Sequence, residues 1–141
     1  MIEGFATKEG TGNFAVSSPA HKENFRNIHD LTLSNVGVGT YLGNPDLETD
    51  TEQKNAIKQS ILHGVNVIDT AINYRAQKSE RTVGKAIFEL IDEGKIKRDE
   101  IFVSTKNGYV TNDADIQEDF MAYVMREFGK TGIVKEGDIS A

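Results

Sequence analysis

The chain has 141 residues, of which 38% are hydrophobic and 27% are charged, a balance typical of a globular, soluble domain. Its formal net charge of −6 gives no general attraction to nucleic acid or to an anionic membrane surface, and no apolar run is long enough to cross a bilayer. The absence of cysteine excludes disulfides, thiolate metal sites and cysteine nucleophiles, and a cytoplasmic location fits that composition.

The N-terminal third contains two different patterns. Residues 1–24 are rich in glycine, serine, threonine and charged side chains, which predicts a mobile arm, or an arm that packs only on partner surfaces. In residues 25–34, Leu31 and Leu33 alternate with polar residues after a His29-Asp30 turn. This alternation is typical of a short β-hairpin.

Residues 35–106 predict an α/β core in the order strand, helix, strand, helix, strand. The apolar strands are expected at residues 36–39, 65–69 and 101–106, about 30 residues apart, which is the length of a βαβ unit. Such units build a parallel sheet with right-handed crossovers.

Two amphipathic helices are expected between these strands. We predict that Asp50 caps the first helix and that Gly64 ends it in a left-handed conformation. We predict that Ser79 caps the second helix. Its buried face is expected to consist of the residues at helical spacing, namely Val83, Ala86, Ile87, Leu90 and Ile91.

Residues 107–141 have no strand pattern, and we interpret them as an insertion with a helical segment. The apolar residues at helical spacing are Ile116, Phe120, Tyr123, Val124 and Phe128. Gly129 is expected to end that helix.

Three residues that could take part in a reaction lie at or just after the ends of the second and third strands of the core. Asp69 ends the second strand, Tyr74 lies in the loop beyond it, and Lys106 ends the third strand. Because the carboxyl ends of parallel strands lie at one edge of the sheet, these side chains can meet in one pocket. A nearby ammonium favours the phenolate of a tyrosine, and an aspartate can hold that ammonium in place, so the trio suits proton donation to a developing alkoxide. The structural alternatives are a turn cap, a packed aromatic ring and a solvated lysine.

The successive segments "GVGTY", "IDTAINY", "SERTVGKAI" and "IFVSTK" resemble the conserved blocks of the aldo-keto reductases. The resemblance spans roughly residues 25–110 and implies the N-terminal part, about three βα units, of a (β/α)₈ TIM barrel. It implies reduction of a small carbonyl substrate with NADPH, with NADH as a possibility.

The same resemblance implies roles for individual residues. Tyr74 takes the place of the general acid, and Asp69 and Lys106 take the places of the residues that tune it. The expected cofactor contacts are Gly39, Thr40, Tyr41 and Asp69, and no metal site is expected.

The chain also departs from the family pattern. Arg75 stands where many members have glycine, and it is expected either to select anionic substrates at the pocket rim or to point into water. The family's catalytic histidine lies on a later strand, so His21, His29 and His63 are interpreted as surface or turn residues.

Because only about three of eight barrel strands are present, we expect the chain to be inactive without the remainder of the barrel or self-association. The alternative function is a non-catalytic barrel that binds the cofactor as a regulatory or partner subunit.

Overall fold

The structure, a computed structural model, describes residues 2–138. In chain order the elements are α1 (Lys8–Ser17), β1 (Phe25–Ile28), β2 (Leu31–Ser34), β3 (Val38–Gly39), α2 (Leu47–Leu62), β4 (Val67–Asp69), α3 (Lys78–Asp92), β5 (Phe102–Ser104) and α4 (Phe120–Val124). A π-helix at Met125–Gly129 continues α4, and 3₁₀ helices lie at Lys22–Asn24, Arg98–Glu100 and Glu136–Asp138. None of the helices within residues 2–138 combines the length and apolar character that crossing a lipid bilayer requires.

The centre of the fold is a three-stranded parallel sheet in the order β3-β4-β5. Ile68 of β4 is fully buried and pairs with Val38 on one side and Val103 on the other. The two long helices, α2 and α3, pack against each other and cover the sheet. The buried core consists of Phe14, Ile57, Ile61, Ile68, Val83, Ala86, Ile87, Leu90, Ile96 and Ile101.

A β-hairpin precedes this sheet, with β1 and β2 antiparallel and Ile28 opposite Leu31. The two turn residues, His29 and Asp30, have φ angles of 47° and 69°, the left-handed conformation that a two-residue hairpin turn requires. The buried amide of Asn66 joins the hairpin to the parallel sheet, because it accepts a hydrogen bond of 2.8 Å from the Ser34 backbone N–H.

The N-terminal segment contains a packed helix where the composition indicated a mobile arm. Thr7 caps α1 by accepting a 2.9 Å hydrogen bond from the Gly10 N–H, and its own backbone N–H donates to the Asp99 carbonyl. A β-carbon at Gly10 would collide with the Asp99 backbone, so glycine allows this close approach. Phe14 is buried in the core. The sequence contained no periodic signal for α1, because Phe14 is its one large buried apolar side chain and its other contacts are polar.

Both long helices begin earlier than the sequence indicated. The N-cap of α2 is Asp46, whose carboxylate accepts a 2.8 Å hydrogen bond from the Thr49 N–H, so the prediction of Asp50 was wrong. Helix α3 begins at Lys78, so Ser79 lies inside its first turn. The α2 helix does end as predicted, with Gly64 at a φ of 99°.

The last helix is shorter than its apolar spacing indicated. Val124 is buried, whereas Phe120 is 40% exposed and Ile116, 42% exposed, precedes the helix. Apolar spacing therefore predicted too early a start for this helix, whereas the helical segment continues as the π-helix to Gly129, where its end was predicted.

We predict that Phe14→Ala lowers the free energy of unfolding by about 3 to 5 kcal/mol, because it leaves a cavity in the core beneath α1. Urea denaturation measures the change. Val16→Ala is the matched control on the same helix, because Val16 is 89% exposed, and it should change stability by less than about 0.5 kcal/mol. Equal, small effects of the two substitutions would show that α1 does not pack on the core.

Candidate active site

The carboxyl ends of the three parallel strands lie at one edge of the sheet. Gly39 at the end of β3 pairs with Asp69, which in turn pairs with Ser104 at the end of β5. Beyond the strands, the backbone N–H groups of Thr40 and Thr70 donate to the carbonyl oxygens of Asp69 and Ser104. These bonds extend the ladder, so the residues just past each strand are held in register.

At this edge Lys106 and Asp69 form an ion pair. The Lys106 amine donates hydrogen bonds of 2.8 and 2.7 Å to the two carboxylate oxygens of Asp69, and one of 3.0 Å to the Thr70 carbonyl. Both side chains remain about half exposed, so a ligand can approach them. Hydrogen bonding to Asp69, and then to Tyr74, raises the pKa of Lys106 above its ordinary value. The lysine therefore stays an ammonium.

The third residue of the predicted trio, Tyr74, lies beside this ion pair. The Lys106 amine is 4.7 Å from the centre of the half-buried Tyr74 ring. The ring of Tyr41 meets the Tyr74 ring edge-on, with centroids 5.1 Å apart and planes at 72°. The structure thus brings together the three residues that the sequence selected, and it adds an aromatic neighbour to them.

The residues expected near a cofactor differ in how accessible they are. Gly39 and Tyr41 are exposed beside Asp69, whereas Thr40 is fully buried. The Thr40 carbonyl accepts a 2.7 Å hydrogen bond from the Ser79 hydroxyl, and its own hydroxyl donates to the Asp69 carbonyl. Thr40 therefore fixes the strand end through buried contacts, and Ser79 ties α3 to it.

Neither interpretation of Arg75 agrees with its position, because its side chain is 1% exposed and reaches neither the pocket rim nor water. The guanidinium donates to the carboxylate of Asp50 at 2.6 Å, to the side chain of Gln53 at 3.0 Å and to the carbonyl oxygens of Asn44 and Asp46. These partners lie in the β3–α2 loop and on α2. Arg75 is therefore a buried structural link between two loops at the site.

A second group of ion pairs attaches the segment after β5 to the start of α3. The Arg81 guanidinium contacts both carboxylate oxygens of Asp113, at 2.7 and 2.5 Å, and Lys78 bridges Asp50 and Asp115 at 2.9 and 3.0 Å. Hydrogen bonding to Asp113 raises the pKa of Arg81. The sequence offered one faint signal for this attachment, the closely spaced carboxylates of "NDAD", which lie far from α3 along the chain.

The three histidines lie on the surface, away from the trio. His29 is in the hairpin turn, His21 precedes the first 3₁₀ helix, and His63 follows α2, all with exposed side chains. Among the described residues, no group of three or more His, Asp or Glu side chains is arranged to hold a metal ion.

Comparison with known proteins identifies the family to which this chain belongs. A family model described as the aldo/keto reductase family matches residues 35–132, which include every residue of the trio. The chain belongs to the aldo-keto reductase family.

Two curated relatives show the extent of the match. The chain is 35% identical over 86 residues to the NADH-specific methylglyoxal reductase of Escherichia coli, covering 57% of the chain and 24% of that protein. It is 29% identical over 94 residues to aldose reductase C of Dictyostelium discoideum, covering 67% of the chain and 27% of that protein. The matched regions thus span about a quarter of the length of these aldo-keto reductases.

We predict that Asp50→Asn lowers the free energy of unfolding at neutral pH and makes that free energy less dependent on pH in the acid range. Burial raises the pKa of Asp50, but hydrogen bonds from Lys78 and Arg75 outweigh it, so the pKa lies below the ordinary 3.8. Because the folded-state pKa is the lower one, the ionised form contributes stability above the ordinary pKa and loses it as the pH falls through the folded value. Urea denaturation at about pH 7 and about pH 3 measures this dependence.

In Asp50→Asn the stability at neutral pH should fall, and the further loss on acidification should shrink. Asp92→Asn is the control, because Asp92 is exposed on α3. An unchanged acid dependence in Asp50→Asn would mean that the ion pairs of Asp50 do not stabilise the fold.

Proposed function

We propose that this protein reduces an aldehyde or a ketone to an alcohol with a nicotinamide cofactor, NADPH or NADH. The observation that carries the proposal is the arrangement around Lys106, whose amine is held by both carboxylate oxygens of Asp69 and lies 4.7 Å from the centre of the Tyr74 ring. A phenol beside a fixed cation suits the protonation of a developing alkoxide. Membership of the aldo-keto reductase family supports the same chemistry.

We assign the cofactor to the ends of β3 and β4, beside the trio. No neighbouring heavy atom lies within 4 Å of the position that a β-carbon on Gly39 would take, so the edge beside Asp69 is open. When bound, the cofactor supplies a hydride to the carbonyl carbon. Gly39, Tyr41 and Asp69 are the residues that would contact it, and the buried Thr40 would support them from behind. One relative is named an NADH-specific reductase, which keeps NADH beside NADPH as a candidate.

The side chains of the trio would supply the proton for the proposed reaction. As the carbonyl oxygen gains negative charge, the Tyr74 hydroxyl donates its proton to that oxygen. The Lys106 ammonium stabilises the resulting phenolate by charge, and Asp69 keeps the ammonium in place through its paired hydrogen bonds. Each residue therefore has one task, and the tasks depend on the short distances among the three.

We further propose that β3, β4 and β5 are the first three strands of a (β/α)₈ barrel. Both β3 and β5 are edge strands in the described part of the chain, so each leaves one side open to further strands. We expect activity to require those strands, and we expect the 141 residues on their own to be inactive. A monomer of these residues with NADPH-dependent turnover would contradict this expectation.

We predict that Tyr74→Phe, made in the natural polypeptide at its full length, lowers kcat for carbonyl reduction by about 10²- to 10⁴-fold, because the ring keeps its packing but loses the acidic hydroxyl. Cofactor affinity should stay within about threefold, since the hydroxyl is assigned no contact with the cofactor. Cofactor oxidation with a panel of aldehydes and ketones measures turnover, and fluorescence titration measures binding.

Tyr109→Phe is the matched control, because Tyr109 is 75% exposed and has no role in the proposed reaction. It should leave turnover unchanged. Full turnover in Tyr74→Phe would remove Tyr74 from the mechanism. Cofactor binding without turnover of any carbonyl by the unsubstituted protein would instead favour a non-catalytic, regulatory barrel.

A further inference from the structure

The three residues that follow Tyr74 have an uncommon backbone conformation. Arg75, Ala76 and Gln77 have φ angles of 51°, 50° and 73°, all in the left-handed region. Residues other than glycine adopt this region at a cost in free energy, and a run of three persists only where surrounding contacts hold it. The turn lies between the proposed general acid and the first turn of α3.

From the inside, Arg75 holds this turn. Its buried guanidinium makes four hydrogen bonds, and every acceptor belongs to residues 44–53, in the loop after β3 and on α2. Because the guanidinium is planar and its donors have fixed directions, these bonds define both the position and the orientation of the side chain. The backbone of the turn is thereby fixed relative to α2.

From the outside, the segment after β5 holds the turn by fewer and more exposed contacts. The Ala76 carbonyl accepts a 3.1 Å hydrogen bond from the Ala114 N–H. The Gln77 side chain donates to the Tyr123 hydroxyl at 2.9 Å and to the Asn112 carbonyl at 3.3 Å. The buried contacts of Arg75 are therefore the stronger constraint on the turn.

The position of Tyr74 depends on this turn. The Tyr74 N–H donates to the Ala71 carbonyl at 3.1 Å, and the Tyr74 carbonyl accepts from the Ser79 N–H at 3.4 Å, so the loop closes on both sides of the left-handed run. A shift of the run would move the Tyr74 ring relative to Lys106 and Tyr41, which it now contacts.

We propose that Arg75 is a positioning residue for the general acid: its buried guanidinium holds the left-handed turn that keeps the Tyr74 ring beside Lys106 and against Tyr41. The proposal rests on the proposed function of Tyr74. Arg75 itself touches none of the reacting groups, because all of its acceptors lie in residues 44–53.

The test is Arg75→Lys in the natural polypeptide at its full length. Lysine keeps the charge but cannot reproduce the four directed hydrogen bonds. We expect kcat to fall by about 10- to 100-fold, as for a displaced catalytic group, while KM changes by less than about threefold. In nuclear Overhauser spectra, the contact between the Tyr74 and Tyr41 rings should weaken, and the Lys106 side-chain protons should lose their ring-current shift.

Ile57→Val and Leu90→Ala are the stability controls, because both residues are fully buried in the core and neither belongs to the turn or bonds to Arg75. Together they bracket the loss of thermal midpoint expected for Arg75→Lys, and neither should change the ring contacts. If Arg75→Lys does not fold, Gln53→Met removes one of the four hydrogen bonds and also the 3.2 Å bond that the Gln53 amide donates to the Thr40 carbonyl. Gln53→Glu, which loses only the bond to Thr40, is its control, and the changes expected for Arg75→Lys should appear at smaller size in Gln53→Met alone.

The outcomes separate the two proposals. Wild-type kcat and ring contacts in Arg75→Lys, or in Gln53→Met where that variant is used, would overturn the positioning role. Equal loss of kcat in Arg75→Lys and in a core control of the same thermal midpoint would also overturn it. Full turnover in Tyr74→Phe would overturn the function proposed for Tyr74, and the ring contacts would still decide whether Arg75 positions that ring.

Discussion

The register of the parallel sheet is the constraint on which the site depends. Gly39, Asp69 and Ser104 lie side by side at the ends of β3, β4 and β5, and Lys106 follows Ser104 by two residues, so its side chain reaches back to Asp69. A shift of one residue in the register of β4 would turn the Asp69 side chain to the opposite face of the sheet, and the same shift in β5 would do this to Lys106. The buried Ile68 prevents such a shift, since it would have to leave the core.

Two ion pairs at this edge have different roles, and their exposure separates them. The pair of Lys106 with Asp69 is about half exposed, and a solvated pair contributes little to stability. We assign this pair a chemical role, because both charges remain accessible to a ligand beside Tyr74. The pair of Arg75 with Asp50 is largely buried, and loss of Asp50 would leave the Arg75 guanidinium without a carboxylate partner inside the protein. The first pair is suited to the proposed reaction, and the second is suited to the structural frame around it.

The sequence was informative wherever the signal is local. β-Branched runs about 30 residues apart indicated the parallel strands, and the apolar stripe from Val83 to Leu90 indicated the face of α3 that is buried. The order of the strands then placed Asp69, Tyr74 and Lys106 at one edge. All of these inferences needed only periodicity and the rule that parallel strands end on the same side.

Where the structure departs from the sequence analysis, contacts between segments far apart in the chain determine the local structure. Asp46 and Asp50 are both plausible caps for α2, and the choice depends on Arg75 and Lys78, which engage Asp50 from more than 20 residues away. Helix α1 is absent from the periodicity because its stability comes from one buried aromatic ring and from contacts with the backbone of Asp99. No local pattern carries such information.

Arg75 shows how one position can satisfy the same backbone requirement in two ways. A glycine after Tyr74, the residue that the family resemblance places there, would adopt a φ near 51° without strain but would lose more conformational freedom on folding. Arginine has the opposite properties, since its backbone is strained there while its side chain can make directed contacts. In this chain those contacts are buried and link the turn to α2, so the free energy of the strained turn is offset by hydrogen bonds. Compared with glycine, Arg75 therefore gives a turn that is held by side-chain hydrogen bonds rather than one that is free of strain. This turn lies next to Tyr74, whose position the proposed reaction requires.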